Sequence, residues 1–413
     1  MKIFPAYIVR LFGRRYTKAQ KGAAAPGGRE KQMKLSVIIP VHNAAKYLNA
    51  CLDSVLSQDI QDMEVICIDD ASADNSADII AAYQEKDSRI SLIKNSSTMY
   101  AGTCRNTGLK EAQGEYVHFL DSDDMVEEGA YLRYYNMAKA TDADLVKGRS
   151  NCFDNDTHEI STTPLLDLSE VPEDGFGNIS TFSRMPEIFS HISVVPWNGI
   201  YKTSFLKENK IEFNHLICVN DRSFFNEAVI LAGRILLTKE RLVKYRINNN
   251  QSLMGNRALN FQCQFQSFSI VQEQCRKYSL TGRPLACILE RELIDLFIWY
   301  RKYKKLPEIQ DSIIAQTTEF SHTLDISPLT DYPPAFKWYY DYLLLTKPKF
   351  FEDYLKRFEK ESDCKKQVKK LMAQSSSLTD FQSQLAGGQA SVSVPAASGF
   401  LKKALKKCKR LFS

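Results

Sequence analysis

Between residues 34 and 124, short apolar runs alternate with stretches of helical spacing, and this alternation narrows the possible folds more than any other feature. Leu35 to Pro40, Glu64 to Asp70, Ile90 to Ile93 and Tyr116 to Leu120 read as strands, dense in branched and aromatic residues of the kind parallel sheets bury on both faces. Between them, Tyr47 to Gln58 carries Leu48, Leu52, Val55 and Leu56 at helical spacing, Asp78 to Tyr83 continues as helix, and Thr103 to Leu109 opens another. Ala71 to Ser76 is turn and helix-cap chemistry. The order βαβαβαβ predicts a parallel, doubly wound α/β sheet. Its strand ends at Asn43, Asp70 and Asp123 converge on one edge, and open α/β sheets bind ligands at that edge.

The strand from Tyr116 ends abruptly in Asp121, Asp123 and Asp124. In an extended chain residues i and i+2 point the same way, so Asp121 and Asp123 can share one cation. Such a pair suits Mg²⁺ or Mn²⁺, which take oxygen ligands and share them with substrate phosphates. Taken alone, the same three residues also read as a solvated acidic turn capping the next helix.

At 413 residues, with 44% apolar and 25% charged residues, the chain has the composition of a globular protein of two or three units. The ten cysteines include no Cys-x-x-Cys pair, which fits reduced thiols in the cytoplasm and argues against a zinc site. No apolar run approaches the roughly 18 residues that span a bilayer, and the N-terminus lacks the unbroken apolar core of a signal peptide. Charge is unevenly spread. Residues 1–34 carry +8, residues 400–413 carry +6, and the body between them carries −9 within a total of +5. An acidic body is not expected to bind nucleic acid.

Residues 2–15 place Ile3, Phe4, Tyr7, Ile8, Leu11 and Phe12 on one helical face, with Lys2, Arg10, Arg14 and Arg15 mostly elsewhere. Phe400 to Phe412 repeats the pattern, with Leu401, Ala404, Leu405, Cys408 and Leu411 on the apolar stripe and Lys402, Lys403, Lys406, Lys407, Lys409 and Arg410 on the polar face. Two readings fit these ends. They are peripheral anchors on an anionic inner-membrane surface, or a pair of solvated basic tails. The segmentation that results is 1–33, basic amphipathic segment and linker; 34–255, the α/β body; 256–372, a mostly helical region; 373–399, a Ser-, Gln-, Ala- and Gly-rich linker; 400–413, the basic tail.

Four segments, in order, carry a resemblance: Val37 to Asn43, Ile68 to Ser76, Arg105-Asn106-Thr107-Gly108, and Gly114-Glu115-Tyr116 through Asp123-Asp124. The chain resembles a family 2 glycosyltransferase of the GT-A fold, of the bacterial surface-polysaccharide type, clearly over residues 34–150 and recognisably to about residue 255. The resemblance implies a nucleotide-sugar half at 34–150 and an acceptor half at 151–255. It implies that Pro40 and Asn43 border the nucleotide, that Asp70 accepts a hydrogen bond from the base ring NH with Asp69 supporting it, and that Arg105 lies beside the diphosphate. For Arg105 an ion pair with a strand-end carboxylate is the alternative. Asp123 resembles the direct metal ligand and Asp121 the residue nearer the ribose and the metal's waters. Cys104 departs from the usual Ala and fits as a small apolar residue.

In the second half, Trp197-Asn198 through Tyr201-Lys202 resembles the family's segment near the acceptor. Trp197 either stacks on a sugar ring or belongs to the core or a lid. Asp221 stands where the family has its general base, and Asn220 replaces the usual Glu before it. The other reading of Asp221 is a helix N-cap, since Ser223 to Leu231 looks helical. Tyr245-Arg246 resembles a strand before a flexible loop, with Arg246 or the loop closing over the diphosphate. His118 lies mid-strand and reads as core, and the aromatic stripes after residue 256 read as helix packing. The function implied is inverting transfer of a sugar from a UDP-sugar to a hydroxyl of a glycan or lipid-linked acceptor, dependent on Mg²⁺ or Mn²⁺. The alternatives are a sugar nucleotidyltransferase or a non-catalytic carbohydrate- or membrane-binding module.

Overall fold

The computed structural model describes residues 33–162, 178–182, 188, 192–249, 260–289, 291–292 and 306–321. The chain runs β1 (Leu35–Val41), α1 (Ala45–Leu56), β2 (Met63–Asp69), α2 (Ser76–Gln84), β3 (Ile90–Lys94), α3 (Tyr100–Glu111), β4 (Tyr116–Phe119), β5 (Met125–Val126), α4 (Ala130–Thr141) and β6 (Leu145–Asp154). It continues through β7 (Ile160–Thr162), β8 (Asn178–Ser180), β9 (Gly199–Lys202), α5 (Thr203–Asn209), α6 (Asp221–Leu231), β10 (Ile235–Ile247), α7 (Gln262–Lys277) and α8 (Pro307–Ser321), with residues 282–289 also helical.

Among the described residues, ten strands form one sheet in the order β3-β2-β1-β4-β9-β6-β10-β5, with β7 beside β6 and β8 beside β10. β3, β2, β1 and β4 are mutually parallel, as the βαβ alternation requires. The chain steps outward from β1 to β3 and then returns to the other side of β1 as β4, so the strand order reverses between β1 and β4. In open α/β sheets the crevice beyond the strand ends at such a reversal is the ligand site. Beyond β4 the sheet is mixed. β9 runs antiparallel to both β4 and β6, and β6 is again parallel to β10. The insertion of β9 was not expected from Trp197 to Lys202, which read as an acceptor segment.

Alternation along the parallel strands buries both faces. Val37, Ile39, Val65, Cys67 and Tyr116 pack with α1 and α4. Ile38, Ile66, Ile68, Val117 and Phe119 pack with α3, α6 and α7 on the other side. There Phe213 and Phe224 stack at 3.9 Å between ring centroids, and Phe119 meets each edge-on. Helix α3 approaches the sheet so closely that a Cβ on Gly108 would lie 2.5 Å from Ile38 Cγ2 and 3.0 Å from Ile68 Cδ1.

The described parts of the 256–372 region are helical. Both basic ends, the 373–399 linker, the Gln251-Ser252 loop and residues after 321 lie outside the described residues. Among the described residues no helix is long and apolar enough to cross a membrane.

The Gly108 contact can be weighed. Helix propensity alone favours Ala over Gly by about 1 kcal/mol, whereas overpacking a close contact costs about 1–3 kcal/mol. Gly108→Ala is expected to lower the urea midpoint, with an unchanged m-value. A raised midpoint would mean that α3 is free to move off the sheet.

Candidate functional site

The loops after β1 and β2 are stitched together. Asn43 adopts φ +51°, a left-handed turn that Asn tolerates. Its backbone N–H donates to Ser72 Oγ at 3.0 Å, and its side-chain oxygen accepts the Ala73 N–H at 2.7 Å. His42 Nδ1 lies 2.7 Å from the Asp70 carbonyl oxygen. A carbonyl only accepts, so Nδ1 carries the proton, and Nε2 accepts from the Asn43 amide at 3.0 Å. Pro40 is buried within β1, paired with Ile68.

Asp70 is buried and turned toward α3. Its Oδ1 accepts from Asn95 Nδ2 and the Met99 N–H, and its Oδ2 accepts from the Tyr100 N–H, each at 2.8 Å. The carboxylate thus satisfies N-terminal donors of α3 and favours the positive end of its dipole. The Cys104 thiol also hydrogen-bonds to this carboxylate, so its acceptor positions are largely taken. The neighbouring Asp69 is also buried, and its Oδ1 has no hydrogen-bond partner. The unpartnered acceptor at this edge is therefore on Asp69, and it is sealed from solvent.

The strand β4 ends at Phe119, and the Asp124 N–H bonds back to the Asp121 carbonyl at 3.1 Å. Asp121 and Asp123 consequently sit in a turn, and strand alternation is not what sets their directions. Asp121 Oδ1 pairs with Arg105 Nη2 at 2.5 Å. Arg105 is only 5% exposed, lies over the Phe213 ring at 5.2 Å, and donates from Nη1 to Asn220 Oδ1 at 3.0 Å. Asp123 Oδ2 accepts from Asn249 Nδ2 at 2.9 Å. Asp124 is buried, and its Oδ1 accepts the Arg246 N–H at 2.7 Å.

Arg246, a candidate to close over the diphosphate, is buried. Its guanidinium lies between the rings of Tyr47 (4.7 Å) and Phe153 (5.0 Å). Its Nε donates to the Asp123 carbonyl at 2.7 Å. Buried and bonded in this way, Arg246 clamps the carboxylate turn from beneath.

Burial and then the Asp121 charge push the Asp123 carboxyl above the usual carboxylate range. Burial, Asp123 and Asp121 push Asp124 well above it. Three carboxylates crowd one turn, and two guanidiniums touch it. This surplus suits a divalent cation, with Asp121 and Asp123 as oxygen ligands. Among the described residues no three His, Cys, Asp or Glu side chains form a metal cage. The pair would therefore supply part of a coordination shell and leave the rest to substrate oxygens.

On the other side of Arg105, Asp221 is the first residue of α6 and is half-buried. Asn220 occupies the N-cap position, and no side chain caps the helix. The residue before it, Val219, has φ +58°, which is strained for a β-branched residue. The Asp221 charge is felt by two fully buried groups, the Lys147 ammonium and the Tyr201 phenol.

Trp197 and Asn198 are core residues, for Trp197 the second of its two readings. Trp197 stacks on Tyr245 at 4.9 Å and 11° between planes and is 4% exposed. Asn198 is fully buried, with its amide on the Gly148 carbonyl at 3.2 Å. β9 carries the segment into the sheet, so neither side chain offers a face to a sugar. His118 is core as expected. It donates from Nε2 to the Trp197 carbonyl and lies beside the Tyr131 hydroxyl, and burial pulls its pKa down to about 4. Asn249, the clamp role of Arg246 and the buried Lys147 carry no signal in the sequence.

Asp123→Asn follows from the raised carboxyl. Above the ordinary value of 3.8 the unfolded chain ionises freely while the folded chain resists. Ionisation of Asp123 therefore costs stability at neutral pH, and the cost vanishes once both states are protonated. Asn still accepts from Asn249. The variant is expected to melt higher than the parent at pH 7, with the gain gone below about pH 4. Equal midpoints at pH 7 would contradict the crowded-carboxylate account.

A family model described as glycosyl transferase family 2 matches residues 36–196. A poly(ribitol-phosphate) beta-glucosyltransferase of Bacillus spizizenii is 31% identical over 231 residues, 54% of this chain and 34% of that protein. An uncharacterized glycosyltransferase of Escherichia coli, YibD, is 30% identical over 233 residues, 55% of this chain and 67% of that one. The chain thus spans about a third of the first relative's length and two thirds of the second's. In the crystal structure of residues 1–349 of S. aureus TarS with UDP-GlcNAc, the fold superposes with a TM-score of 0.55 at 21% identity, over 71% of this chain and 82% of that one. At that identity the likeness is one of fold.

Proposed function

This chain belongs to glycosyltransferase family 2, and from that premise we propose that it moves a sugar from a UDP-sugar to a hydroxyl of a glycan or lipid-linked acceptor, with inversion. The observation that carries the reading is the carboxylate turn Asp121 to Asp124, seated at the reversal of strand order between β1 and β4 and tied through Arg105 to the turn that bears Asp221.

Each residue then has a task. Asp70, at the end of β2, would meet the base, with the buried Asp69 supporting that loop. Asn43 shapes the loop beside them. Arg105 lies where a diphosphate would meet Asp121. Asp121 and Asp123 would hold Mg²⁺ or Mn²⁺, which would offset the charge of the departing diphosphate. Asp221 accepts the proton of the acceptor hydroxyl as that oxygen bonds to the anomeric carbon and the carbon–phosphate-oxygen bond breaks opposite it. One displacement from the opposite face inverts the centre. UDP as carrier is supported by the S. aureus TarS structures, which hold UDP and UDP-GlcNAc. A polyol-phosphate or other surface polymer as acceptor is supported by the Bacillus relative's name alone, across a third of its length. The basic amphipathic ends at 1–33 and 400–413 would hold such an enzyme to the inner face of an anionic membrane.

Asp221→Asn is the test of the chemistry. A general base contributes about 10²–10⁴-fold, so transfer is expected to fall by that order, while calorimetric affinity for UDP stays at the parent value. A fully active Asp221→Asn enzyme would remove Asp221 from the role. Loss of UDP binding together with activity would assign it to the fold.

A further inference from the structure

Asp123 is held at both ends. Its backbone carbonyl accepts from Arg246 Nε at 2.7 Å, and its side-chain Oδ2 accepts from Asn249 Nδ2 at 2.9 Å. Arg246 lies at the end of β10 and Asn249 just beyond it. Behind both stands Tyr47 on α1, only 6% exposed. Its ring lies 4.7 Å from the Arg246 guanidinium, and its hydroxyl donates to Asn249 Oδ1 at 3.2 Å. One side chain therefore touches both groups that hold Asp123.

The chemistry of the partners fixes the direction of this chain. An ionised carboxylate only accepts hydrogen bonds, so the Asn249 amide turns its NH₂ toward Asp123. That turns Oδ1 toward Tyr47, whose hydroxyl must then donate. The two bonds run one way, from Tyr47 to Asn249 to Asp123, and they end on a single carboxylate oxygen. The donor is also neutral. Asp121 shares its charge with the Arg105 guanidinium, whereas the Asp123 side chain meets an amide that fixes its orientation without adding a competing cation.

We propose that Asn249 is a positioning residue for the cation site and that Tyr47 acts through it, the chain occupying Asp123 Oδ2 and so presenting the other oxygen to a divalent ion. This role rests on the proposed binding of Mg²⁺ or Mn²⁺ by Asp121 and Asp123. Partners that orient a metal ligand from behind are typically worth about 10- to 100-fold in metal affinity.

The test is Mn²⁺ binding rather than turnover. The full chain, in excess UDP, is titrated with Mn²⁺, and the free ion is read from its paramagnetic resonance signal. Asn249→Ala is expected to bind Mn²⁺ about 10-fold or more weakly. Tyr47→Phe keeps the ring beside Arg246 and loses the hydroxyl, and is expected to weaken binding by a smaller factor. The Tyr47→Phe, Asn249→Ala double variant is expected to match Asn249→Ala, because the hydroxyl acts only through the amide; two independent structural losses would multiply. Parent affinity in Asn249→Ala, with Mn²⁺ binding lost in Asp123→Ala, overturns the positioning role and leaves the cation site in place. Parent affinity in Tyr47→Phe, or losses that multiply in the double variant, overturns the relay from Tyr47, the former even where Asn249→Ala does not fold. A parent that binds no Mn²⁺ overturns both the positioning role and the cation site on which it rests.

Discussion

The buried guanidinium of Arg105 is the interaction on which the rest of the site depends. It reaches Asp121 on one side and Asn220 on the other, so a single ion joins the strand-end edge of the first half to the turn that starts α6. Phe213 lies under it, and Phe213 in turn stacks on Phe224 within the core. Asp121 is partly exposed, so removing one partner costs less than the about 3–5 kcal/mol of a fully buried pair. Asn at 220 matters here. It accepts one hydrogen bond from Arg105 without contributing a charge, which leaves the full positive charge facing Asp121. A carboxylate at that position would compete with Asp121 for the same ion.

Around that ion the site is assembled from groups that work against each other. Asp123, half-buried, and Asp124, buried, lie beside Asp121 and resist ionisation, while Arg246, pinned between Tyr47 and Phe153, holds the turn in place through the Asp123 carbonyl and the Arg246 N–H. The turn is thus pre-formed and electrostatically unsaturated, which is what a site for a cation and a diphosphate requires. Two other distortions lie nearby. Asn43 and Val219, which flank the site from the two halves, both sit in the left-handed region. For Asn43 this is inexpensive. For Val219 it is not, and the strain is carried directly before Asn220 and Asp221.

Much of this was legible in the sequence because it is local. Unbroken apolar runs between helical stretches specify buried parallel strands, and the carboxylates at Asp70 and Asp121 to Asp124 mark where those strands stop. What was not legible depends on contacts distant in sequence. Asp121 and Asp123 were expected to share a face by strand alternation, but the chain turns as soon as β4 ends. Trp197 and Asn198 have the composition of a sugar platform, and only the insertion of β9 between β4 and β6 shows them to be core. Arg246 looks like a mobile cation in sequence, because its sandwich comes from Tyr47 and Phe153, which lie far from it along the chain. Lys147 in Leu145-Val146-Lys147-Gly148 belongs to no pattern in the sequence that singles it out. Nothing local indicates that Gly199, some fifty positions on, opens a passage for it.

Holding a nucleoside diphosphate-sugar at this edge and breaking its sugar–phosphate bond is the central proposal. The most direct measurement is free nucleotide released from a panel of UDP-sugars in Mg²⁺ or Mn²⁺, with and without EDTA. The account predicts slow release of UDP from one sugar, dependent on the cation and lost in Asp123→Ala. Inorganic pyrophosphate as the product, or UDP-sugars that neither bind nor turn over, would contradict it.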